Sequence, residues 1–327
     1  MTMRRVASGV LLLLLVASPA VPQAGDAERA GLAGARALQE GRVYEAVVLL
    51  QQAVAARPDD LELRLLLGQA SLAASLWVPA KRQFEAILDR QPGHGLAAFM
   101  LGFALHQAGR HHEAAEALAR AEGLAPDNPH PKTYRGLALL RLGRPAEARR
   151  ALETALALAP DDPTALTGLA ELKLAEGHPE EAEPILRRVL AAAPGVEAKV
   201  LLARALLASG RSGDAVTQLR QVAQEAPNRS DVLYLLAQAL LRDGRQDDGR
   251  KTLERFQEQK AREERIRLLE VTVSTDPGDR GARLELARLL LDNGHPEAAA
   301  LHLAPLVRDA PGDPEVAALA AAIDRAR

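Results

Sequence analysis

The chain has 327 residues, a formal net charge of −2 and no cysteine. The near-neutral charge leaves no basic surface on the scale of a domain, which argues against nucleic acid as a ligand. The absence of cysteine excludes disulfides, thiolate catalysis and cysteine-based zinc sites. Hydrophobic residues make up 48% of the chain but aromatic residues only 2%, so the apolar share is mostly Ala and Leu, which favour helix. Composition therefore predicts an all-α protein.

The first twenty residues have the pattern of an export signal. Arg4 and Arg5 precede an apolar run over residues 6–16, and Ser18-Pro19-Ala20 supplies small residues where a signal peptidase would cut. The run has about eleven residues, whereas a membrane-spanning helix needs about 20. We therefore expect cleavage and export to the periplasm or the medium, with an uncleaved membrane anchor as the alternative. Contact with a membrane is expected only through this segment, if it is retained.

Four series of residues then recur in step, about every 34 positions. A proline closes each unit: Pro58, Pro92, Pro126, Pro160, Pro194, Pro227, Pro277 and Pro311. A glycine followed by Arg or His divides it: Gly41, Gly109, Gly143, Gly177, Gly210, Gly244 and Gly294, with Ser75 in the remaining place. A small residue follows the divider: Ala46, Ala80, Ala114, Ala148, Ala182, Ala215, Gly249 and Ala299. Four residues later comes a large apolar one: Leu50, Phe84, Leu118, Leu152, Leu186, Leu219, Leu253 and Leu303.

Each series has a mechanical reason. Proline disfavours helix for the residue before it, so it stops one helix and turns the chain. Glycine ends the preceding helix because it adopts a left-handed cap without a steric penalty. A small residue lets neighbouring helices approach closely, and the large one fills the groove beside it. The pattern predicts two helices of about a dozen residues in every unit.

This arrangement resembles the tetratricopeptide repeat, a helix–turn–helix unit of about 34 residues. The small residue that the family carries on its first helix corresponds to Gly34, Gly68, Gly102, Gly136, Ala170, Ala203, Ala237 and Ala287. The resemblance covers residues 27–313 and recurs eight times. It implies a right-handed superhelical α-solenoid of about eight repeats plus a C-terminal capping helix.

The predicted organisation is a signal peptide (1–20), a short linker (21–26), repeats 1–6 (27–229), repeat 7 (230–279), repeat 8 (280–313) and a capping helix (314–327). Repeat 6 is one residue short, which we place in the loop at Gly195-Val196. Repeat 7 carries sixteen extra residues before Pro277. They predict one long second helix from about Gln246 to Thr275, projecting roughly 24 Å beyond its neighbours, with a break near Ala261 as the alternative. The charged stretch 260–267 is either a solvated helix face or a partner-docking arm.

No catalytic constellation has the spacing that its chemistry requires. The segment from His112 to Glu116 approaches a zinc-protease motif, but Glu116 stands where the second histidine ligand is needed. Acidic pairs that follow closing prolines, such as Asp161-Asp162, are predicted to cap the next helix. The sequence therefore predicts no enzyme activity, no metal site and no cofactor.

A curved array of repeats has an extended concave surface, and the family resemblance implies that first helices line it. The candidate groove residues are Leu65, Gln69, Phe99, Phe103, His106, Thr133, Leu137, Glu171, Arg204 and Tyr234. Phe99 and Phe103 are two of only four phenylalanines. They either form an exposed anchor, as aromatic hot spots do, or pack between adjacent helices.

The functional expectation is a non-catalytic scaffold or adaptor of the cell envelope that binds a peptide or protein segment in this groove. An apolar segment, extended or helical, is the expected ligand. One alternative is an accessory binding subunit of an envelope enzyme or of a machine for polysaccharide export or pilus assembly. Another is a self-assembling structural protein. The sequence predicts neither the partner's identity nor the oligomeric state.

Overall fold

A computed structural model describes residues 24–326, which form seventeen α-helices and no strand. The helices are α1 (Ala24–Gln39), α2 (Val43–Ala56), α3 (Leu61–Ala73), α4 (Trp77–Arg90), α5 (Gly95–Gln107), α6 (His111–Leu124), α7 (Pro129–Arg141), α8 (Pro145–Leu158), α9 (Pro163–Ala175), α10 (Pro179–Ala192), α11 (Val196–Ala208), α12 (Ser212–Glu225), α13 (Ser230–Arg242), α14 (Gln246–Thr275), α15 (Arg280–Asp292), α16 (Pro296–Asp309) and α17 (Pro314–Ala326). Each helix packs against the next in chain order. The predicted all-α solenoid is confirmed, while the predicted export signal lies outside the described residues.

The turn inside each repeat is a left-handed helix cap. All seven dividing glycines have positive φ, between 67° and 82°. In repeat 4 the amide of Gly143 donates to Leu140 O at 3.0 Å and the amide of Arg144 donates to Leu139 O at 2.9 Å, which satisfies the last carbonyls of α7. Ser75 occupies the same place in repeat 2 with φ 58° and is the one non-glycine residue with positive φ among residues 24–326.

Replacing Ser75 with Gly is expected to stabilise the protein by about 0.5–1 kcal/mol. A side chain in the left-handed region costs about 1–2 kcal/mol, and the greater freedom of unfolded glycine offsets part of that gain. Gly143→Ser is the matched control, because Gly143 has the same conformation and open space around its Cα; it is expected to be destabilising. Urea unfolding monitored by circular dichroism measures the change in stability of each variant. A loss of stability in Ser75→Gly would contradict the prediction.

The core is built from the small residue on one helix and the large residue on the next. A Cβ added at Gly68 would lie 2.5 Å from Phe84 Cε1, and one added at Gly102 would lie 2.5 Å from Leu118 Cγ. Phe84 and Leu118 are both 0% exposed. The large side chain therefore rests on bare backbone, and this contact brings the paired helices close together.

The links between repeats follow their sequence signals. The carboxylates of Asp60 and Asp162 accept amide hydrogen bonds at the starts of α3 and α9, which confirms the predicted caps. The link between α10 and α11 is three residues long, 193–195, whereas the others between repeats have four. The missing residue of repeat 6 is therefore in the predicted loop.

The extra residues of repeat 7 form one continuous helix, α14, with 30 residues and no break near Ala261. The helix is not a free arm, however. Its second half buries Ile266, Leu269 and Val273 in a core shared with α15, α16 and α17. The additional turns therefore carry the C-terminal helices instead of projecting alone.

A polar junction separates this C-terminal core from the core of repeats 5–7. Gln259 is 5% exposed, and its amide nitrogen donates to Asn228 O at 2.8 Å and to Asn293 Oδ1 at 2.7 Å. Glu263 accepts a hydrogen bond from Ser230 Oγ at 2.7 Å. Because side-chain hydrogen bonds replace apolar contacts here, the hydrophobic core is interrupted within α14.

The two ends of the array approach each other. A cavity of about 440 Å³ is lined by Tyr44 and Ser75 from the first two repeats and by Glu270 and His302 from the C-terminal helices. Burial, and then the nearby charge of Glu297, raises the pKa of Tyr44. No helix between residues 24 and 326 is long and apolar enough to cross a membrane.

Candidate binding groove

Aromatic side chains gather where α5 and α7 run side by side. Phe99 and Phe103 are one helical turn apart on α5, with ring centroids separated by 6.4 Å. Tyr134 of α7 meets Phe103 edge-to-face at 4.9 Å and Phe99 at 5.9 Å. His130, at the start of α7, stacks on Phe99 at 6.1 Å. We call these four residues the aromatic cluster.

The aromatic cluster is partly covered and partly open. Phe99, Phe103 and Tyr134 are half-buried, and His130 is exposed. Tilted and edge-to-face pairs of this kind stabilise by about 0.5–1.5 kcal/mol beyond burial. The rings therefore pack between helices and still present part of their surface, so the two alternatives drawn from the sequence both describe them in part.

Three other candidates lie on the first helices near the aromatic cluster. Leu65 of α3 is half-buried and packs against the same apolar core as Phe99. Leu137 of α7 is also half-buried and lies so close to α9 that a Cβ added at Gly168 would be 2.8 Å from its Cδ2. Gln69 is half-buried on α3. The apolar surface thus extends from α3 to α9.

Thr133 does not line the groove. It is 0% exposed, and its hydroxyl lies 3.2 Å from Pro129 O and 3.3 Å from Asp162 Oδ2, to either of which it can donate. The side chain therefore ties α7 to the cap of α9. The sequence-based assignment of this residue to the binding surface is corrected.

His106 and His111 form a neutral pair beside the aromatic cluster. Their ring centroids are 5.3 Å apart, and His106 also meets Tyr134 at 6.1 Å. Burial, followed by the neighbouring His111 and Arg141, lowers the pKa of His106 to about 4. Burial and Arg141 also lower the pKa of His111. The Nδ1 atoms of both rings are buried without a hydrogen-bond partner, which makes protonation of either ring unfavourable.

Lowering the pH from 7 to 5 is expected to destabilise the protein through His106. An unfolded histidine takes up a proton as the pH falls through about 6.5, whereas folded His106 stays neutral until about pH 4. This contribution to stability is therefore present above pH 6.5 and is lost as the pH falls toward 4. We expect a loss of about 1–2 kcal/mol, reduced from the full linkage value because the ring is partly solvated.

His106→Leu tests the assignment, because other repeats carry leucine at this place, for example Leu72 and Leu140. The variant should unfold in urea with a smaller difference between pH 7 and pH 5 than the parent chain. An unchanged difference would show that other groups cause the acid destabilisation.

The remaining candidates lie apart from the aromatic cluster. Glu171 of α9 pairs with Arg141 of α7, so it links two first helices at the groove surface. Arg204 of α11 is exposed. Tyr234 of α13 is 42% exposed, and its ring lies 5.2 Å from that of Phe256 on α14. The candidates in the second half of the groove are therefore an ion-paired glutamate, an exposed arginine and a tyrosine that contacts one other ring.

Within the described range, one group of side chains could place three ligand atoms near a single point: His178, Glu180 and Glu181. All three are exposed, and Glu181 already pairs with Lys173 at 2.5 Å. The near-motif of α6 is likewise on the surface, where His112 Nδ1 lies 3.5 Å from Glu116. Neither group has the enclosed surroundings that hold a metal ligand set in place.

Sequence reasoning missed Tyr134 and His130. The family register predicts that the face of α7 carrying Thr133 lines the groove. Tyr134, the next residue, points toward α5 and completes the cluster. The rarity of tyrosine could have indicated Tyr134 as a candidate, since the chain has only three tyrosines.

Comparison with known proteins identifies the repeat. Residues 139–207, 206–271 and 259–323 match a family model described as tetratricopeptide repeat, and residues 80–129 match a second model with the same description. No curated protein matches the chain.

Several solved structures are similar over part or most of the chain. The thermophilic TPR protein TTC0263 of Thermus thermophilus is 27% identical over 55% of this chain and 99% of its own, with a TM-score of 0.46. MamA MSR-1 is 27% identical over 50% of this chain and 95% of its own, with a TM-score of 0.43. The APC/C hetero-tetramer Cut9–Hcn1 is 14% identical over 87% of this chain and 52% of its own, with a TM-score of 0.53, a likeness of fold alone.

Proposed function

The chain belongs to the tetratricopeptide repeat family, whose members act in protein–protein interaction scaffolding, and on that premise we propose that it is a non-catalytic adaptor that binds an apolar protein segment. The aromatic cluster carries this proposal. Half-buried rings that are already held by neighbouring helices lose little conformational freedom when a partner covers them. Aromatic side chains in such positions supply most of the binding energy at many interfaces.

The neutral histidine pair supports an apolar ligand. His106 and His111 border the aromatic cluster without adding charge near neutral pH. Arg141, the cation that acts on both rings, is paired with Glu171. A carboxylate-binding clamp would need unpaired cations at this surface, so a largely apolar segment fits better.

We further propose that the adaptor works in the cell envelope. The support is the sequence pattern of residues 1–20, which has the charged, apolar and small-residue regions of an export signal. Mass spectrometry of the protein purified from its own host tests this, since a mature chain should lack these residues. A full-length mass recovered from the cytosol would contradict export.

A photo-cross-linking residue at His130, on the exposed rim of the aromatic cluster, should capture the partner when the tagged full-length chain is expressed in its own host. The same cross-linker at Glu153, exposed on the second helix α8, is the positional control. Mass spectrometry then identifies the captured chain, and light scattering of the purified protein separates an adaptor from a self-assembling protein.

The double variant Phe99→Ala/Phe103→Ala should reduce recovery of this cross-link by at least about 30-fold, the effect of losing one binding hot spot of about 2 kcal/mol. Helicity by circular dichroism should be retained, because both rings are only half-buried. Equal recovery from the double variant and the parent chain would remove the aromatic cluster as the binding site.

A further inference from the structure

One core position of repeat 7 is more exposed to solvent than the equivalent position of every other repeat. The large residue that follows the small one by four positions is Leu253, and it is half-buried. In the other repeats the equivalent residue is 0–2% exposed: Leu50, Phe84, Leu118, Leu152, Leu186, Leu219 and Leu303. The residue type is the same or similar in every repeat, so the difference comes from what packs on it.

The residue three positions further along is also more exposed to solvent in repeat 7 than in repeats 1–6. Phe256 occupies it in repeat 7 and is half-buried. In repeats 1–6 the equivalent residue is at most 3% exposed: Ala53, Ile87, Ala121, Ala155, Val189 and Val222. Phe256 is also the largest side chain in this series, at the place where the least space would be available if another helix covered it.

In the other repeats the first helix of the following repeat covers these positions. A Cβ added at Gly31 of α1 would lie 2.8 Å from Leu63 Cδ2 of α3 and 3.9 Å from Ala53 Cβ of α2. Gly168 of α9 approaches Leu152 of α8 in the same manner, at 2.9 Å. The following helix therefore places an apolar or small residue directly on the preceding pair.

The following helix is displaced in repeat 7. Helix α15 packs on Leu269 and Val273, sixteen or more residues beyond Leu253 on α14. First helices from α1 to α11 each pack against the next first helix, but α13 and α15 make no contact of that extent. Among residues 24–326, the sixteen-residue insertion thus leaves no helix at one position beside α13 and α14.

Side chains at this position form an exposed aromatic surface. Tyr234 of α13 is 42% exposed, and its ring lies 5.2 Å from Phe256 of α14. Lys260 Nζ lies 5.9 Å from the Phe256 ring centroid, and no carboxylate between residues 24 and 326 pairs with it. We call Tyr234, Leu253, Phe256 and Lys260 the open junction.

We infer that the open junction binds an amphipathic α-helix of a partner protein, in the place that the first helix of a following repeat would take. The chain itself indicates the shape of this occupant, since the equivalent place at the preceding junctions holds a first helix, 13 residues long in α3 to α13. The aromatic pair requires an apolar face with a small residue at the closest approach. The cation at Lys260 requires a carboxylate beside that face.

The first test asks whether the junction is open in the free protein. The chain has no cysteine, so Leu253→Cys and Leu219→Cys place a single thiol at the same register in two repeats. We expect Leu253→Cys to react with a thiol reagent under native conditions, and Leu219→Cys to react only after unfolding. Equal protection of the two thiols would show that the junction is already filled.

The second test uses a defined helix as the probe. A hydrocarbon-stapled peptide with the sequence of residues 60–75 carries α3, including its small residue Gly68 and its acidic residue Glu62. Stapling is needed because an isolated helix of this length is marginal in water. Labelled peptide should bind the full chain in fluorescence anisotropy, and the same peptide with Gly68→Leu should bind more weakly because the added side chain blocks close approach.

Variants then locate the binding. Tyr234→Ala/Phe256→Ala should weaken peptide binding at least tenfold, and Lys260→Gln, which removes the positive charge, should weaken it and reduce its dependence on salt. Glu153→Gln, at an exposed position on α8, serves as the control and should bind normally, because α8 contributes no residue to the open junction.

The inference would be overturned by no peptide binding to the full chain, by binding unchanged in Tyr234→Ala/Phe256→Ala, or by protection of the Leu253→Cys thiol that grows with protein concentration. The last would assign the open junction to a second copy of the chain. Protection that disappears when residues 1–23 are deleted would assign it to that segment instead, and would likewise exclude a partner helix.

Discussion

Phe84→Ala is expected to lower the free energy of unfolding by about 3–5 kcal/mol, the usual cost of removing a buried phenylalanine. The side chain is 0% exposed and rests on Gly68, where an added Cβ would lie 2.5 Å from the ring. The opposing residue, Gly68, has no side chain that could fill part of the space left by the ring. Circular dichroism in urea reports the whole array, and the fluorescence of Trp77, the single tryptophan, reports the same helix.

Phe256→Ala is the matched control for this prediction, since the same substitution is made at a half-buried position. Its cost should be clearly smaller because less surface returns to water and the cavity opens to solvent. Similar losses of unfolding free energy in the two variants would contradict the conclusion that Phe84 is buried more completely than Phe256. Because repeat arrays can unfold in parts, agreement between the two probes should be checked before the losses are compared.

Gly102→Ala is expected to lower the free energy of unfolding by about 1–3 kcal/mol. Alanine normally favours helix over glycine by about 1 kcal/mol. Here, however, the new Cβ would lie 2.5 Å from Leu118 Cγ and 3.2 Å from the Leu118 backbone nitrogen. The paired helices α5 and α6 must therefore move apart, which disturbs the core and the base of the aromatic cluster.

Gly123→Ala provides the control with the opposite expected sign. Gly123 lies in α6 and has no heavy atom within 4 Å of an added Cβ, so helix propensity should raise stability by up to about 1 kcal/mol. Thermal and urea unfolding of Gly102→Ala and Gly123→Ala measure the two expected changes in stability. Stabilisation by Gly102→Ala would mean that the close approach of α5 and α6 is not required.

Much of the fold follows from local sequence signals. The left-handed turns were predictable from the Gly-Arg and Gly-His steps, as was the exception at Ser75, since backbone conformation there depends on a single residue. The bounds of α14, Gln246–Thr275, were also predictable, because no proline interrupts the stretch before Asp276. The cap at Asp162 depends on contacts two residues away and could be predicted for the same reason.

The candidate site was less predictable. Phe99, Phe103 and His106 were found because their register on a first helix places them on one face. Thr133 was misplaced, and its neighbour Tyr134 was missed, because one helical position separates a residue that faces the groove from one that faces the next helix. That choice depends on how α5, α7 and α9 are rotated against one another, which no local pattern in α7 specifies.

The helices, their turns and the pairing of small with large residues follow from the sequence, because each of these depends on residues within about one repeat of each other. Which of these surfaces are buried depends on the tertiary structure. It placed Tyr134 against Phe103, kept His106 neutral, and set α15 on Leu269 instead of Leu253. These outcomes depend on packing between helices that are distant in the chain, where the position of one helix determines the space left for another.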